Sequence, residues 1–554
     1  MDHGPHPGRR HAAASPGAVR AALLLGLALP LAAGPVSDVP IYGRFGQGVH
    51  ARRAYADPLR DVQARVEFTA PSGSRHTVLA YWSGGSTWSV NFSPDRKGNW
   101  AYKWFSNDPE LDRLAGSFQV VANPGKTELD RHGPPRLSPD RRHFVHADGK
   151  PWFWLADTAW NGALLADQFE WDEYLKTRAA QRFTAVQFVI TQWRAGRADE
   201  KGRAAFRVEN GRLSIDPEFF LRMDHFVQAV RRHGLAPVPV MLWALTSKDG
   251  ESPGETLSTA QAIELARYIN ARYAAYGSMW LLGGDGDYRG DKANRWKEIG
   301  RAVFPPGLDR RPVSLHPRGM QDPWPGLLDE PWLDFLVYQS GHGDNEAKWR
   351  WHREHGLAEG WKYEPPRPVI DGEPDYEGHI AYHSRQVIND ATVRRAVYSS
   401  LFAAPPAGVT YGAHGVWFWA RKPVIPLDHA ATGVAQPWKE CLAYPGAAQM
   451  KLMRDLFDRV AWWTLRPDGS LTAASDSPVQ ALRSRDGRVA LIYVPGGAAV
   501  QLALSGFGAV ARAEWLNPRT GESIKADRAA LAGDGGLRPP SPEDWLLLLD
   551  RAER

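Results

Sequence analysis

Apolar and polar positions alternate along the chain from about Val39 to Ala122. Val62, Ala64, Val66 and Phe68 form one alternating set, Trp100, Tyr102 and Trp104 a second, and Phe118 and Val120 a third. A period of two turns one face of each run to a core and the other to water, the signature of half-buried strands. Turn sequences separate the runs: Pro71-Ser72-Gly73, Ser83-Gly84-Gly85 and Lys97-Gly98-Asn99. The pattern predicts a small β-sandwich over residues 39–122. Asn123 to Asp140 is rich in proline, glycine and charge and reads as a linker.

From Arg142 the pattern changes. Short apolar runs, with the character of strands buried on both faces, alternate with amphipathic helical stretches. The predicted strands are Trp152–Asp157, Ala185–Ile190, Pro237–Trp243, Met279–Gly283, Pro312–Leu315, Phe335–Tyr338, Pro368–Ile370 and Gly408–Tyr411, the last continuing to Trp417–Trp419. Between them the helices carry start and stop signals. Asp216 and Pro217 open a helix with Phe220, Met223, Val227 and Val230 on one face, and Gly234 closes it. Ser258 with Gln261 forms a capping box for a helix ending at Gly277. A helix is predicted around Trp171–Gln181, another is capped by Asp390, and a last one runs from about Gly446 to Val460. Eight such strand–helix units predict an α/β fold, a central (β/α)8 TIM barrel over residues 139–460. After Trp462-Trp463 the strand pattern returns, with an Asp486-Gly487 hairpin signal, and predicts a second all-β sandwich over residues 465–550.

Composition narrows the function. A net charge of +5 over 554 residues, without a long basic run, does not point to nucleic acid. The 24 tryptophans are mostly core, yet aromatic faces also serve as platforms for sugar rings. The single cysteine, Cys441, excludes an intrachain disulfide and reads as an inert buried thiol. Arg9, Arg10 and Arg20 precede the apolar run Ala21–Ala33, which is shorter than a comfortable membrane span and ends in small residues. Residues 1–34 therefore read as a signal peptide, with an uncleaved anchor as the alternative, and the protein is expected to be secreted or periplasmic, with no membrane contact beyond that segment.

Barrel enzymes build their sites where strands end. Polar and aromatic residues at the predicted strand ends are Asp157 and Trp160, Gln192 and Trp193, Trp243, Asp285 and Asp287, His316, Gln339, Ser340 and His342, Asp371 and Glu373, and Tyr411, His414, Trp417 and Trp419. There is neither a glycine-rich phosphate loop nor a nicotinamide fingerprint. Glycosidic cleavage needs two carboxyl groups across one bond, one to protonate the leaving oxygen and one to attack the anomeric carbon or activate water. The chain resembles barrel glycosidases, in many of which the two carboxyls follow strands four and seven. That resemblance implies Asp285 and Glu373 as the pair, the alternative for either being a helix cap or an Arg partner, with Asp287 and Asp371 as local rivals; Asp371, nearer its strand, suits orienting a neighbour. Asp157 suits either sugar hydroxyls or a helix cap. Trp160, Trp243, Trp417 and Trp419 suit stacking or core packing, and His316, His342 and His414 suit donation to sugar hydroxyls or structural bonds. Asp285, Asp287 and Asp291 lack the ligand pattern of a calcium loop. No metal and no cofactor is expected.

The motifs carry a resemblance. Ala156-Asp157-Thr158-Ala159-Trp160, Trp280–Asp285, Gln339-Ser340-Gly341-His342, Asp371-Gly372-Glu373-Pro374 with Tyr376-Glu377-Gly378, and Tyr411–Gly415 with Trp417 together resemble the apiosidase-like enzymes of glycoside hydrolase family 140. The resemblance implies an Asp acid/base and a Glu nucleophile, mapping to Asp285 and Glu373, a retaining mechanism, and a plant cell-wall polysaccharide or oligosaccharide as substrate. Tyr376 enters as a substrate-binding candidate on the same ground. Gly286-Asp287-Tyr288 departs from the pattern, since a basic residue is expected beside the acid. The alternatives are an inverting hydrolase using the same acids and a non-catalytic glycan-binding or matrix-adhesion protein.

Overall fold

The computed structural model describes Met1 and residues 38–245, 250–472, 478–497, 499–527, 531 and 537–552. Apart from Met1, the segment read as a signal peptide lies outside these residues. No helix among them is long and apolar enough to cross a membrane.

Eight strands open the described chain: β1 (Val39–Pro40), β2 (Phe45–His50), β3 (Ala64–Thr69), β4 (Arg75–Leu79), β5 (Tyr81–Gly84), β6 (Thr87–Phe92), β7 (Gly98–Ser106) and β8 (Ala115–Val121). They form a five-stranded sheet in the order β1-β8-β7-β3-β4 and a three-stranded sheet in the order β2-β6-β5. The alternation predicted the filling: Val66, Phe68, Trp100, Tyr102, Trp104 and Phe118 are all buried, with Phe68 stacked on Phe92 at 4.1 Å. The stretch read as a linker is more ordered than expected. Thr127 and Asp130 form a capping box on the short helix Glu128–His132, and Arg136–Leu137 pairs with Phe144–Val145.

The barrel strands are β9 (Trp154–Thr158), β10 (Ala185–Val189), β11 (Ala236–Trp243), β12 (Trp280–Gly286), β13 (Val313–Pro317), β14 (Leu336–Tyr338), β15 (Val369–Asp371) and β16 (Gly408–Gly412). They are parallel and ordered β13-β12-β11-β10-β9-β16-β15-β14. Between β13 and β14 side chains close the seam: Ser314 Oγ donates to the Phe335 carbonyl at 2.7 Å, and the Val313 N–H donates to the Asp334 carboxylate at 3.1 Å. Around this ring pack α1 (Gln168–Ala180), α2 (Pro217–Arg232), α3 (Thr259–Tyr273), α4 (Asp291–Val303), α5 (Glu346–Glu354), α6 (Asp390–Ala403) and α7 (Pro445–Arg459). Asp216 caps α2 and the Ser258–Gln261 box caps α3, as their sequences require. The cap of α6 is Asn389, whose side chain accepts the Thr392 N–H, rather than Asp390.

One strand differs in kind from its expected form. β16 ends at Gly412, and His414–Phe418 is a helical turn, with Trp419 left-handed behind it. A buried aromatic run carries no period of its own, so it fits a strand or a tight turn equally well. The C-terminal strands β17 (Leu465–Pro467), β18 (Gln480–Ser484), β19 (Val489–Val494), β20 (Val510–Leu516), β21 (Ser523–Lys525) and β22 (Trp545–Arg551) make one sheet in the order β17-β18-β19-β22-β20-β21. Its other layer is built of short turns and the bridges Thr472–Leu502 and Val500–Leu537, which bring Leu471, Val500, Phe507 and Leu537 onto Ile492, Trp515 and Leu547.

Candidate active site

The C-terminal ends of the strands converge on Asp285 and Glu373. β12 runs through Asp285 instead of stopping at Gly283, and its pairing with β13 slips at Leu281–Gly284 and again at Gly284–Gly286. This bulge re-aims the chain. Asp285 sits there in the left-handed region, φ 51°, which aspartate tolerates better than most residues. Its neighbours must be glycine. A Cβ on Gly284 would lie 2.5 Å from Trp243 Cε3, and one on Gly286 would lie 2.5 Å from the Tyr288 ring.

Glu373 follows β15 by two residues and is almost fully buried. Its backbone N–H donates to Asp371 Oδ1 at 3.3 Å, as does the Ser340 N–H, while Ser400 Oγ donates to Asp371 Oδ2 at 2.7 Å. Asp371 is thus an orienting group held on the helix side. From β10, Gln187 Nε2 donates to the Gly372 carbonyl at 2.7 Å and to Thr158 Oγ1 at 2.8 Å.

Two imidazoles meet the Glu373 carboxylate. His316 Nε2 lies 3.3 Å from one oxygen and His342 Nε2 lies 3.1 Å from the other. The Tyr376 N–H donates to His342 Nδ1 at 3.4 Å, so the Nε2 of His342 carries the proton directed at Glu373. Burial opposes the charge on Glu373, but the two histidines outweigh it and hold its carboxyl below the ordinary range. Asp285 moves the opposite way. Loss of solvent and then the nearby negative Glu373 push it well above the ordinary range, against the pull of Arg318 and Arg194. Among the described residues no side chain donates a hydrogen bond to the Asp285 carboxylate.

The aromatic candidates form one wall. Trp243 packs on Trp193 at 4.3 Å and on Trp160 at 5.3 Å, and Trp160 packs edge-on to His316 at 5.4 Å. Trp193 donates its indole N–H to Asn161 Oδ1 at 2.6 Å. Among the described residues, the buried polar atoms at this mouth without a hydrogen-bond partner include Trp243 Nε1, Gln339 Oε1, Ser340 Oγ, the Tyr376 hydroxyl and His316 Nδ1. Buried polar atoms left unmatched are costly, and a polyhydroxylated ligand would supply their partners.

Four expected site residues have other duties. Asp157 faces outward, where one oxygen accepts from Tyr174 OH and Arg178 Nε, both at 2.7 Å, in a fully buried pair with α1. It neither reaches sugar nor caps a helix. Gln192 is spent on the backbone of the next loop, donating to the Phe206 carbonyl and accepting the Ala205 N–H. His414 accepts the Trp417 indole N–H at 3.0 Å on one ring nitrogen and faces the Gly433 carbonyl at 3.4 Å with the other. Asp287 pairs with Arg289 and Lys292 at the surface, which holds its carboxyl down at about 2. The basic neighbour missing beside Asp285 is replaced in space by Arg194 and Arg318 from other loops.

Sequence reading missed Gln187, although it is the one polar residue in an otherwise apolar strand. It also missed His379 and Tyr382, which stack around His342 at 4.2 and 5.7 Å. Among the described residues no group of three or more His, Cys, Asp or Glu could hold a metal ion.

Residues 138–464 match the family model described as apiosidase-like, catalytic domain. Residues 38–107 match a domain of unknown function, DUF5060, and residues 467–550 match the Collagen_bind_2 model, described from a collagenase. Among solved structures, a glycoside hydrolase is similar at 22% identity and a TM-score of 0.65, covering 78% of this chain and 99% of its own. A family 5 glycoside hydrolase from Bacteroides vulgatus is similar at 22% identity and 0.63, covering 77% and 95%. A further Bacteroides vulgatus structure reaches 0.67 at 17% identity, covering 93% and 100%. At such identities the likeness shows the fold. No curated protein matches the chain.

Proposed function

This chain belongs to the apiosidase-like catalytic-domain family, and on that premise we propose that its Asp285 and Glu373 carry out a retaining double displacement on a plant cell-wall-type polysaccharide or oligosaccharide. The protein is a glycoside hydrolase with a carbohydrate substrate. The carrying observation is the asymmetry of the two carboxyl groups. Glu373 has an imidazole on each oxygen at 3.3 and 3.1 Å, which favours the ionised nucleophile. Asp285 has no such donor and feels the charge of Glu373, which favours the protonated acid.

In the first step Asp285 gives its proton to the glycosidic oxygen while a Glu373 oxygen bonds the anomeric carbon and the leaving group departs. In the second, ionised Asp285 takes a proton from water as the water oxygen attacks the same carbon and releases Glu373. Trp160, Trp193, Trp243 and Trp417 wall the sugar, and Gln339 and Tyr376 face its hydroxyls, while both ring nitrogens of His342 are committed to Glu373 and the Tyr376 N–H. The basic and apolar N-terminal segment supports export, and N-terminal sequencing of protein recovered outside the cytoplasm tests it.

A panel of aryl glycosides and pectic fragments identifies the sugar, and proton NMR of the first-formed product then reads the anomer. Retention is expected, with activity lost in Glu373→Ala. A product of inverted configuration overturns the double displacement, and full activity in Glu373→Ala overturns the nucleophile.

A further inference from the structure

A groove of about 1100 Å3 runs between the N-terminal sheets and the outer side of the barrel, away from the Asp285–Glu373 pair. One wall comes from β3, β4, β5 and β7. The other comes from α3, the hairpin residues Gly211 and Arg212, and the segment that follows α4. Bridges between the walls hold it open. Arg60 Nη2 meets Glu264 at 2.6 Å and the Leu213 carbonyl at 3.0 Å. Beyond Leu308, His76 Nδ1 lies 2.7 Å from Asp309, whose N–H donates to the Thr77 carbonyl at 2.8 Å. The floor is fixed as well: Asn91 Nδ2 donates to Tyr81 OH at 3.0 Å and to the Arg272 carbonyl at 2.8 Å, tying the two walls beneath the groove.

The charged side chains lining this groove are Arg60, Arg65, Arg212, Arg267, Asp112 and Glu264. Arg60 and Arg212 are committed to Asp57, and Arg60 also to Glu264. Arg65 and Arg267 are exposed, and among the described residues neither pairs with a carboxylate. Arg65 lies over the Phe105 ring at 4.9 Å, and Arg267 donates only Nε, to the Ala302 carbonyl at 2.9 Å. Lys103 also lies over the Phe105 ring, at 5.2 Å, so the ring left for a ligand is that of half-buried Trp82, pinned by its N–H to the Gly85 carbonyl at 2.8 Å. Planar guanidinium groups take carboxylates in bidentate fashion, and flat ring faces take the C–H faces of sugars. The volume exceeds that of ordinary small-molecule pockets, so it suits several linked rings.

We infer that this groove is a second, non-catalytic binding site for a carboxylate-bearing glycan chain, held by Arg65 and Arg267 and stacked on Trp82. The choice of a glycan rests on the proposed function; the binding itself needs no turnover. Affinity electrophoresis through gels containing polygalacturonate, carboxyl-reduced polygalacturonate or poly-L-glutamate tests it, with aryl-glycoside hydrolysis measured in parallel. Wild-type protein is expected to be retarded by polygalacturonate alone. The apparent affinity should fall at least about tenfold in Arg65→Glu/Arg267→Glu and in Trp82→Ala, with melting temperature and aryl-glycoside turnover unchanged. Absence of retardation in an active enzyme, equal retardation by the carboxyl-reduced polymer, or undiminished retardation in the double variant overturns the site. Equal retardation by poly-L-glutamate, insensitive to Trp82→Ala, also overturns it and assigns the groove to an acidic protein segment. Retardation that depends on these residues in a protein without turnover supports the groove and counts against the catalytic reading alone.

Discussion

Removing the His342 imidazole should shift the acidic limb of the pH–rate profile. In the folded protein its Nε2–H donates to Glu373 at 3.1 Å, with the tautomer set by the Tyr376 N–H. A hydrogen bond to a charged partner is worth about 1.5–3 kcal/mol. At about 1.36 kcal/mol per pKa unit, that corresponds to a rise of roughly 1–2 in the pKa of Glu373. Only the ionised carboxylate attacks, so kcat/KM for an aryl glycoside in His342→Ala should begin to fall roughly 1–2 pH units higher on the acid side. The alkaline limb reports proton loss from Asp285 and should move little. Stability gives a second readout. A carboxyl whose pKa is lowered by folding adds stability above its unfolded pKa and loses it as pH falls through the folded one. The melting temperatures of wild type and His342→Ala should therefore converge at low pH and separate at neutral pH. An acidic limb that stays at its wild-type position, with melting curves offset equally at every pH, refutes the role given to His342.

Glu377 is raised to about 7 by burial, which outweighs the bonds from Tyr411 OH at 2.7 Å and the Gly446 N–H at 3.0 Å. Its contribution is full below the unfolded pKa and fades as pH rises through about 7; Glu377→Gln should thus gain on the order of 3 kcal/mol over wild type by pH 8.5 and little at pH 4.5, read from denaturant unfolding. Arg178→Met strands the fully buried Asp157 and should cost about 3–5 kcal/mol, whereas the double variant Asp157→Leu/Arg178→Met should recover most of it, as thermal melts would show. Gly284→Ala places a Cβ 2.5 Å from Trp243 Cε3 and 2.7 Å from Val240 Cγ1. It should cost about 1–3 kcal/mol and lower kcat more than it raises KM, because the displaced group is the acid.

Much of the barrel was legible because strands covered on both faces must be apolar, and runs such as Ala185–Val189 leave few other readings. Asp285 and Glu373 were chosen by position, as carboxylates just past strands four and seven, and the structure brings the two close enough for the charge of one to act on the other. Asp157 was misread because closeness to a strand end says nothing of which face a side chain takes. In β9, Thr158 bonds Gln187 across the interior while the residue before it points to α1, and that alternation was available in the sequence. The duties of Gln192 and His414 were not available. Their partners are backbone groups of Phe206 and Gly433, and a sequence pattern does not show a carbonyl. The same holds for Arg194 and Arg318, which reach Asp285 from other loops.

The left-handed backbone at Asp285 leaves a mark on how the gene tolerates change. Holding a residue other than glycine there costs on the order of 1–3 kcal/mol, and the packing around Gly283, Gly284 and Gly286 forbids a wider side chain at any of the three. Selection for turnover alone justifies that cost. A duplicated copy that lost catalysis would be released from it, and glycine at position 285 would be its first cheap gain in stability. Across related genomes, that single exchange should sort working enzymes from inactive descendants.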